Sequence, residues 1–104
     1  YNASSYGGVR QNVTGLTSGA VYTISGTYRT NSTSATASVR YNLSANTDRA
    51  NSTVLVSKTS TDWGTFSANV TATGSSLSLF LDHLNGTSTN KASAFDNIKV
   101  ICAP

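Results

Sequence analysis

Glutamate is absent from this chain, and acid of any kind is scarce: the only carboxylate side chains are those of Asp48, Asp62, Asp82 and Asp96. Charged residues make up 11% of the sequence, against roughly 25% in ordinary soluble domains. Something other than charge must therefore keep the surface wet. The 33 serines and threonines offer hydroxyls for that purpose, and attached sugars are the other candidate. Scarce acid also limits the chemistry. Glycoside hydrolysis needs two positioned carboxylates, and no two of these aspartates form a suggestive pair in sequence. There is one histidine, His83, and no nucleophile elbow, so nothing signals a Ser–His–Asp arrangement. Zinc-type spacing is missing, and "GTYRTN" and "TGSS" hold too few glycines for a phosphate loop. No enzymatic activity is expected.

Other absences narrow the partners. The net charge is +3, but the four arginines and three lysines are spread along the chain, and without a basic run nucleic acid is not an expected ligand. No stretch approaches the roughly 20 apolar residues of a membrane-spanning helix, so no membrane span is expected. No signal peptide is present in these residues; for a secreted protein it would have been removed or would lie outside them. Cys102 is the single cysteine, and two readings of it stand: a small buried apolar residue, or half of a disulfide with a cysteine outside this segment.

What the chain has in abundance is the N-glycosylation acceptor Asn-X-Ser/Thr. It occurs at Asn2, Asn12, Asn31, Asn42, Asn51, Asn69 and Asn85, which is the pattern of a secreted, extracellular glycoprotein carrying covalent N-glycans. Ten asparagines in a chain that is one-third Ser and Thr give about three such triplets by chance. Placement adds to the excess. Strand side chains alternate between faces. In "ATASVRYNLS" the apolar set is Ala37, Val39, Tyr41 and Leu43, with Asn42 opposite. In "FSANVTA" it is Phe66, Ala68, Val70 and Ala72, with Asn69 opposite. Asn12 lies with Arg10, opposite Val9 and Val13. The remaining four acceptors fall in turn-like segments.

Period-two patterning runs through the chain. Strands are predicted near 9–16, 20–30, 35–44, 53–58, 63–72, 76–84 and 94–102, separated by turn-like runs such as "TSG" at 17–19 and "TGS" at 73–75. No amphipathic helical period of useful length occurs. About seven short strands with regular turns predict an all-β fold, an antiparallel β-sandwich forming one domain over 1–104. In "LSLFLDHL", Leu77, Leu79 and Leu81 share one face, while Ser78, Phe80, Asp82 and Leu84 make a mixed second face. That strand is expected to be covered on both sides.

The order of three segments carries a family resemblance. "QNVTGLTSGAVYTISGTYR" precedes a valine-rich strand, then "TDWGTFSANVTATGSSLSLFL", then "ASAFDNIKV". Over residues 9–102 this resembles the carbohydrate-binding modules of families 4 and 9, the CenC-like group, and the fungal secreted proteins that carry such domains. The resemblance implies a jelly-roll, galactose-binding-like sandwich and a non-catalytic role in binding polysaccharide or glycan. In those modules one or two strands precede the segment matching "GLTSGAVYTISGTYR", whereas here only "YNASSYGG" does. A first strand is thus expected to be missing, or "YNASSYGG" is itself that strand or a donated one.

The same resemblance suggests roles for single residues. Trp63 matches a tryptophan that is usually structural, packing a strand start against the core, with a sugar platform as the other reading. Asp96 in "AFDN" matches an aspartate that often ligates a structural calcium, the one cofactor the chain suggests. Sugar binding needs exposed aromatic faces and polar groups to orient hydroxyls. Tyr22, Tyr28, Arg29 and Trp63 are candidates for it, although Tyr22 and Tyr28 also fit a core. Arg40, Asp82 and His83 are further polar candidates. Two functions are therefore expected in competition. One is an extracellular carbohydrate-binding module. The other is an N-glycosylated structural subunit of a fibre or wall layer, joined to neighbouring copies of itself by β-strand donation.

Overall fold

The computed structural model describes residues 6–46, 48–84 and 92–103. Seven strands run in chain order: β1 Tyr6–Thr14, β2 Val21–Thr30, β3 Thr36–Asn42, β4 Thr53–Lys58, β5 Gly64–Thr71, β6 Ser76–Leu84 and β7 Ser93–Cys102. They form two antiparallel sheets, one ordered β1-β6-β3-β4 and the other β5-β2-β7. The expected β-sandwich is what the chain forms, and no described helix is long and apolar enough to cross a membrane.

Alternation explains why these segments are strands. Along β2, Tyr22, Ile24, Gly26 and Tyr28 are buried while Val21 is exposed and Thr23, Ser25, Thr27 and Arg29 are partly exposed. The inward set of each strand meets that of the facing sheet: Ile24 and Tyr28 on β2 with Phe66 and Val70 on β5, against Val39 on β3 and Leu77 and Leu79 on β6. Burying each large side chain is worth about 1.5–3 kcal/mol. The "TSG" turn ends on Gly19, whose φ of 86° suits glycine and strains other residues, and Ala20 N–H donates to Thr17 C=O there.

Strand boundaries depart most from expectation at β1, which starts at Tyr6 rather than residue 9 and ends at Thr14 rather than 16. Tyr6, Gly7 and Gly8 pair with Leu84, His83 and Asp82 of β6. Pairing outweighs the low strand propensity of glycine, so Tyr6, Gly7 and Gly8 of "YNASSYGG" belong to β1. Residues 1–5 lie outside the described residues.

A β-bulge between Ser25 and Thr27 shifts the β2–β7 register. Opposite it, in "DN", Asn97 has φ 54°. Ile98 lies close against Gly26 there: a Cβ on Gly26 would sit 2.5 Å from Ile98 Cδ1 and 3.1 Å from Phe66 Cε1. Gly64, at the start of β5, packs so closely under Tyr28 that a Cβ would lie 2.7 Å from the ring.

The outer face of the four-stranded sheet is dry at its centre. Ser38, Ser78, Phe80 and Asp82 are at most 1% exposed, so β6 is covered on both sides, as its mixed second face leads one to expect. The β3–β4 connection supplies the cover. Ser78 Oγ lies 2.9 Å from the carbonyls of Ser44 and Asn46 and accepts Asn46 N–H at 2.9 Å. Arg10 Nη1 donates to Asn46 C=O at 3.0 Å. A single 3-10 turn, Arg49–Asn51, follows, capped by the Asp48 side chain.

Candidate functional site

The two sheets meet differently along their two sides. On one side the β4–β5 connection closes the gap: Thr30 N–H donates to Ser60 C=O at 2.6 Å and Thr59 Oγ1 to Ala35 C=O at 2.5 Å. On the other side the edge strands are β1 and β7. Among the described residues, β1 pairs only with β6 and β7 only with β2. Between them lies a groove of about 370 Å³. Its apolar lining comes from both sheets: Val9, Val13, Leu79 and Leu81 on one, Ile98 and Val100 on the other. Val9 is 63% exposed. Leu81, Ile98 and Val100 are partly buried against the core.

An edge strand presents backbone N–H and C=O groups to which a further strand can pair, and here two edge strands flank an apolar cleft among the described residues. Chemically, this seam suits an extended segment with alternating apolar side chains. Its backbone would bond an edge while every second side chain entered the groove.

The outer face of the three-stranded sheet is a different surface. Thr65, Ser67, Asn69 and Thr71 of β5 are exposed beside the partly exposed Thr23, Ser25 and Thr27 of β2. Thr23 Oγ1 donates to Asn69 Oδ1 at 2.8 Å. This face is rich in hydroxyls, with exposed Val21 and Ile101 among them, and it ends near Trp63 and Arg29.

The sugar-binding candidates separate. Tyr22 and Tyr28 are 8% and 4% exposed and belong to the core; the Tyr22 hydroxyl accepts Thr17 N–H at 2.7 Å. Neither ring has a face to offer a sugar. Trp63, expected to pack a strand start against the core, is instead 50% exposed. It immediately precedes β5, and the Arg29 guanidinium sits 5.7 Å from its ring centre. The structure thus brings Arg29 and Trp63 together and leaves both tyrosines inside. Arg40 is partly buried and tied to the fold: its Nε donates to Ser52 Oγ at 2.6 Å and its Nη2 to Ser52 C=O at 3.1 Å. Burial, then the nearby Arg49 charge, pull the Arg40 pKa down, with Tyr6 acting the other way. His83 is partly buried, its Nδ1 2.7 Å from Ser93 Oγ.

Asp96 is exposed, and its Oδ1 accepts the N–H of the next residue, Asn97, at 2.8 Å. Among the described residues no three His, Cys or carboxylate groups cluster as metal ligands. Cys102 is exposed and free, so the buried reading of this cysteine does not hold. It ends an edge strand, where alternation no longer guarantees cover.

Of the acceptor asparagines, Asn12, Asn31, Asn51 and Asn69 are exposed and Asn42 is partly exposed. Asn2 and Asn85 lie outside the described residues. Asn12 accepts the Ser78 hydroxyl at 3.0 Å and so points to the outer side of β1, away from the groove. Asn69 points outward from the opposite sheet. Asn42 and Asn51 both donate from Nδ2 to Asp48, at 3.4 Å to its carbonyl and 2.7 Å to its carboxylate respectively.

Sequence reasoning missed a buried polar cluster on the outer face of the four-stranded sheet. Arg49 donates from Nε to Asp82 Oδ2 at 2.8 Å, with Nη2 2.7 Å from the same oxygen. Its guanidinium also lies over the Tyr6 ring, 3.7 Å from the centre. Burial pushes the Asp82 carboxyl up to about 6. A charged residue beside Phe80 on the mixed face of β6 was the available signal; that Arg49 would fold back from a loop was not visible.

Compared with known protein families, with curated proteins and with solved structures, the chain finds no match in any of the three.

Proposed function

We propose that this domain is a strand-accepting structural unit: an extracellular, N-glycosylated subunit of a fibre or wall layer, joined to a neighbouring copy by β-strand donation. The observation that carries this reading is the groove between the edge strands β1 and β7, where Val9, Ile98 and Val100 from two sheets line one apolar cleft. A donated strand would bury these side chains and bond an edge together, and each apolar side chain it inserts is worth about 1.5–3 kcal/mol. The acceptors Asn12 and Asn69 point away from the cleft, so glycans there would coat the outer faces and leave the seam open. Low charge and abundant hydroxyls suit a packed, sugar-coated surface. The test is assembly: sedimentation of the native protein beside a Val100→Glu variant. Polymers that the variant abolishes support the reading; monomers of both refute it.

A second reading, a non-catalytic carbohydrate-binding module, is favoured by Trp63. This half-exposed indole with Arg29 beside it provides one aromatic face and one set of donors. Retention of the folded protein on plant or fungal polysaccharides, lost in Trp63→Ala, would support it.

A further inference from the structure

Asn69, Thr23 and Ile101 stand side by side on β5, β2 and β7, in one row across the outer face of the three-stranded sheet. With strands about 4.8 Å apart, the row spans about 10 Å. Val21, two residues before Thr23 on β2, shares that face and is the diagonal neighbour of Ile101. Val21 is 39% exposed and Ile101 54%. Adjacent apolar side chains rimmed by hydroxyls have the make-up of a binding surface, and Thr71, Thr23 and Ser25 supply that rim.

The Asn69 carboxamide is aimed along this row. Its Oδ1 accepts Thr23 Oγ1 at 2.8 Å, which turns the amide toward β2. Asn69 is exposed and opens the acceptor triplet Asn69-Val70-Thr71. Glycosylation makes Nδ2 a secondary amide nitrogen. It loses one proton and bonds the anomeric carbon of the first sugar, as the phosphate-linked carrier of the sugar donor departs. A planar trans amide holds its substituent opposite Cβ, on the side of its oxygen. The sugar therefore leaves Asn69 on the Thr23 side, heading toward Val21 and Ile101. Other acceptors are placed differently: Asn51 Nδ2 is bonded to the Asp48 carboxylate at 2.7 Å, and Asn12 lies on the other sheet.

We propose that the surface formed by Val21 and Ile101 is the seat of this chain's own Asn69 glycan. The first sugar crosses Thr23 and packs the C–H face of its ring on the two apolar side chains, with its hydroxyls beside those of Thr23 and Ser25. This rests on the N-glycosylation reading above. The unfolded chain carries the same glycan but offers it no such surface, so the apolar area it covers stabilises the folded state alone. The root of this glycan is then part of the fold as well as part of the coat.

The experiment uses the native glycoprotein. Glycopeptide mass spectrometry reads Asn69 first, and an unoccupied Asn69 overturns both the modification of this acceptor and the seat. With Asn69 occupied, nuclear Overhauser contacts are expected between the ring protons of the first sugar and the methyl groups of Val21 and Ile101. Their absence overturns the seat and leaves the modification standing. Thr71→Ala removes the acceptor triplet and keeps Asn69 beside Thr23. It is expected to raise the unfolding constant about fivefold, and by less than about twofold in an Ile101→Ser background. No loss in the native background, or an equal loss in both, overturns the seat. Asn12→Gln, on the opposite sheet, is the control: its effect should be the same with and without Ile101→Ser.

Discussion

Val9 and Val100 line the same groove although they sit on edge strands of different sheets. A sandwich normally closes such a seam with a strand or a connection, as the 59–63 segment does on the opposite side. Among the described residues the seam between β1 and β7 leaves Val9 wet on an edge strand.

Val9→Lys separates stability from assembly. Val9 is already 63% exposed, so its replacement should change monomer stability by less than about 0.5 kcal/mol. The same change puts a charge in the cleft and should abolish association. Urea unfolding and sedimentation of the variant check the two halves.

Gly26→Ala should destabilise the fold by about 1–3 kcal/mol, the usual range for overpacking. Its new methyl would collide with Ile98 and Phe66 at the bulge. Gly64→Ala should show a similar loss through Tyr28. Urea midpoints of both variants measure this.

Phe80→Ala should cost about 3–5 kcal/mol, as much as a central core residue, although Phe80 faces outward from its sheet. The residue is 1% exposed and lies between Ser78 and Asp82, both bonded by the β3–β4 connection on that face. A loss below 1 kcal/mol would mean that the connection does not pack there. Denaturant unfolding decides.

Cys102 is exposed, so a maleimide reagent should label it stoichiometrically in the folded domain without denaturant. Native material that resists labelling until reduced would carry Cys102 in a disulfide with a cysteine outside this segment. Intact mass before and after reduction identifies that partner.

Much of the fold was legible because period-two alternation is a direct imprint of one buried face. β4 and β6 fall at their expected residues, 53–58 and 76–84, each bounded by clear turn chemistry. The start of β1 was not legible: Tyr6-Gly7-Gly8 becomes a strand only through its ladder with β6. The inside and outside of β2 were readable, yet which aromatic would face solvent was not. Tyr22 and Tyr28 follow the alternation inward, whereas Trp63 precedes its strand and escapes the pattern. The dry outer face of the four-stranded sheet was half legible. Phe80 among polar neighbours announced a second cover, but the cover is an irregular connection whose path follows from long-range bonds to Ser78 and Asp82.

The seam could be anticipated only as a deficit of strands. Its lining is spread over β1, β6 and β7, and no local pattern assembles those residues. The most direct measurement is therefore of the native material itself: its assembly state by native mass spectrometry, with backbone amide exchange along β7. Strand donation requires concentration-dependent oligomers in which the β7 edge amides are protected, and protection lost in Val100→Glu. A protein that stays monomeric at high concentration, with those amides exchanging freely, would contradict it.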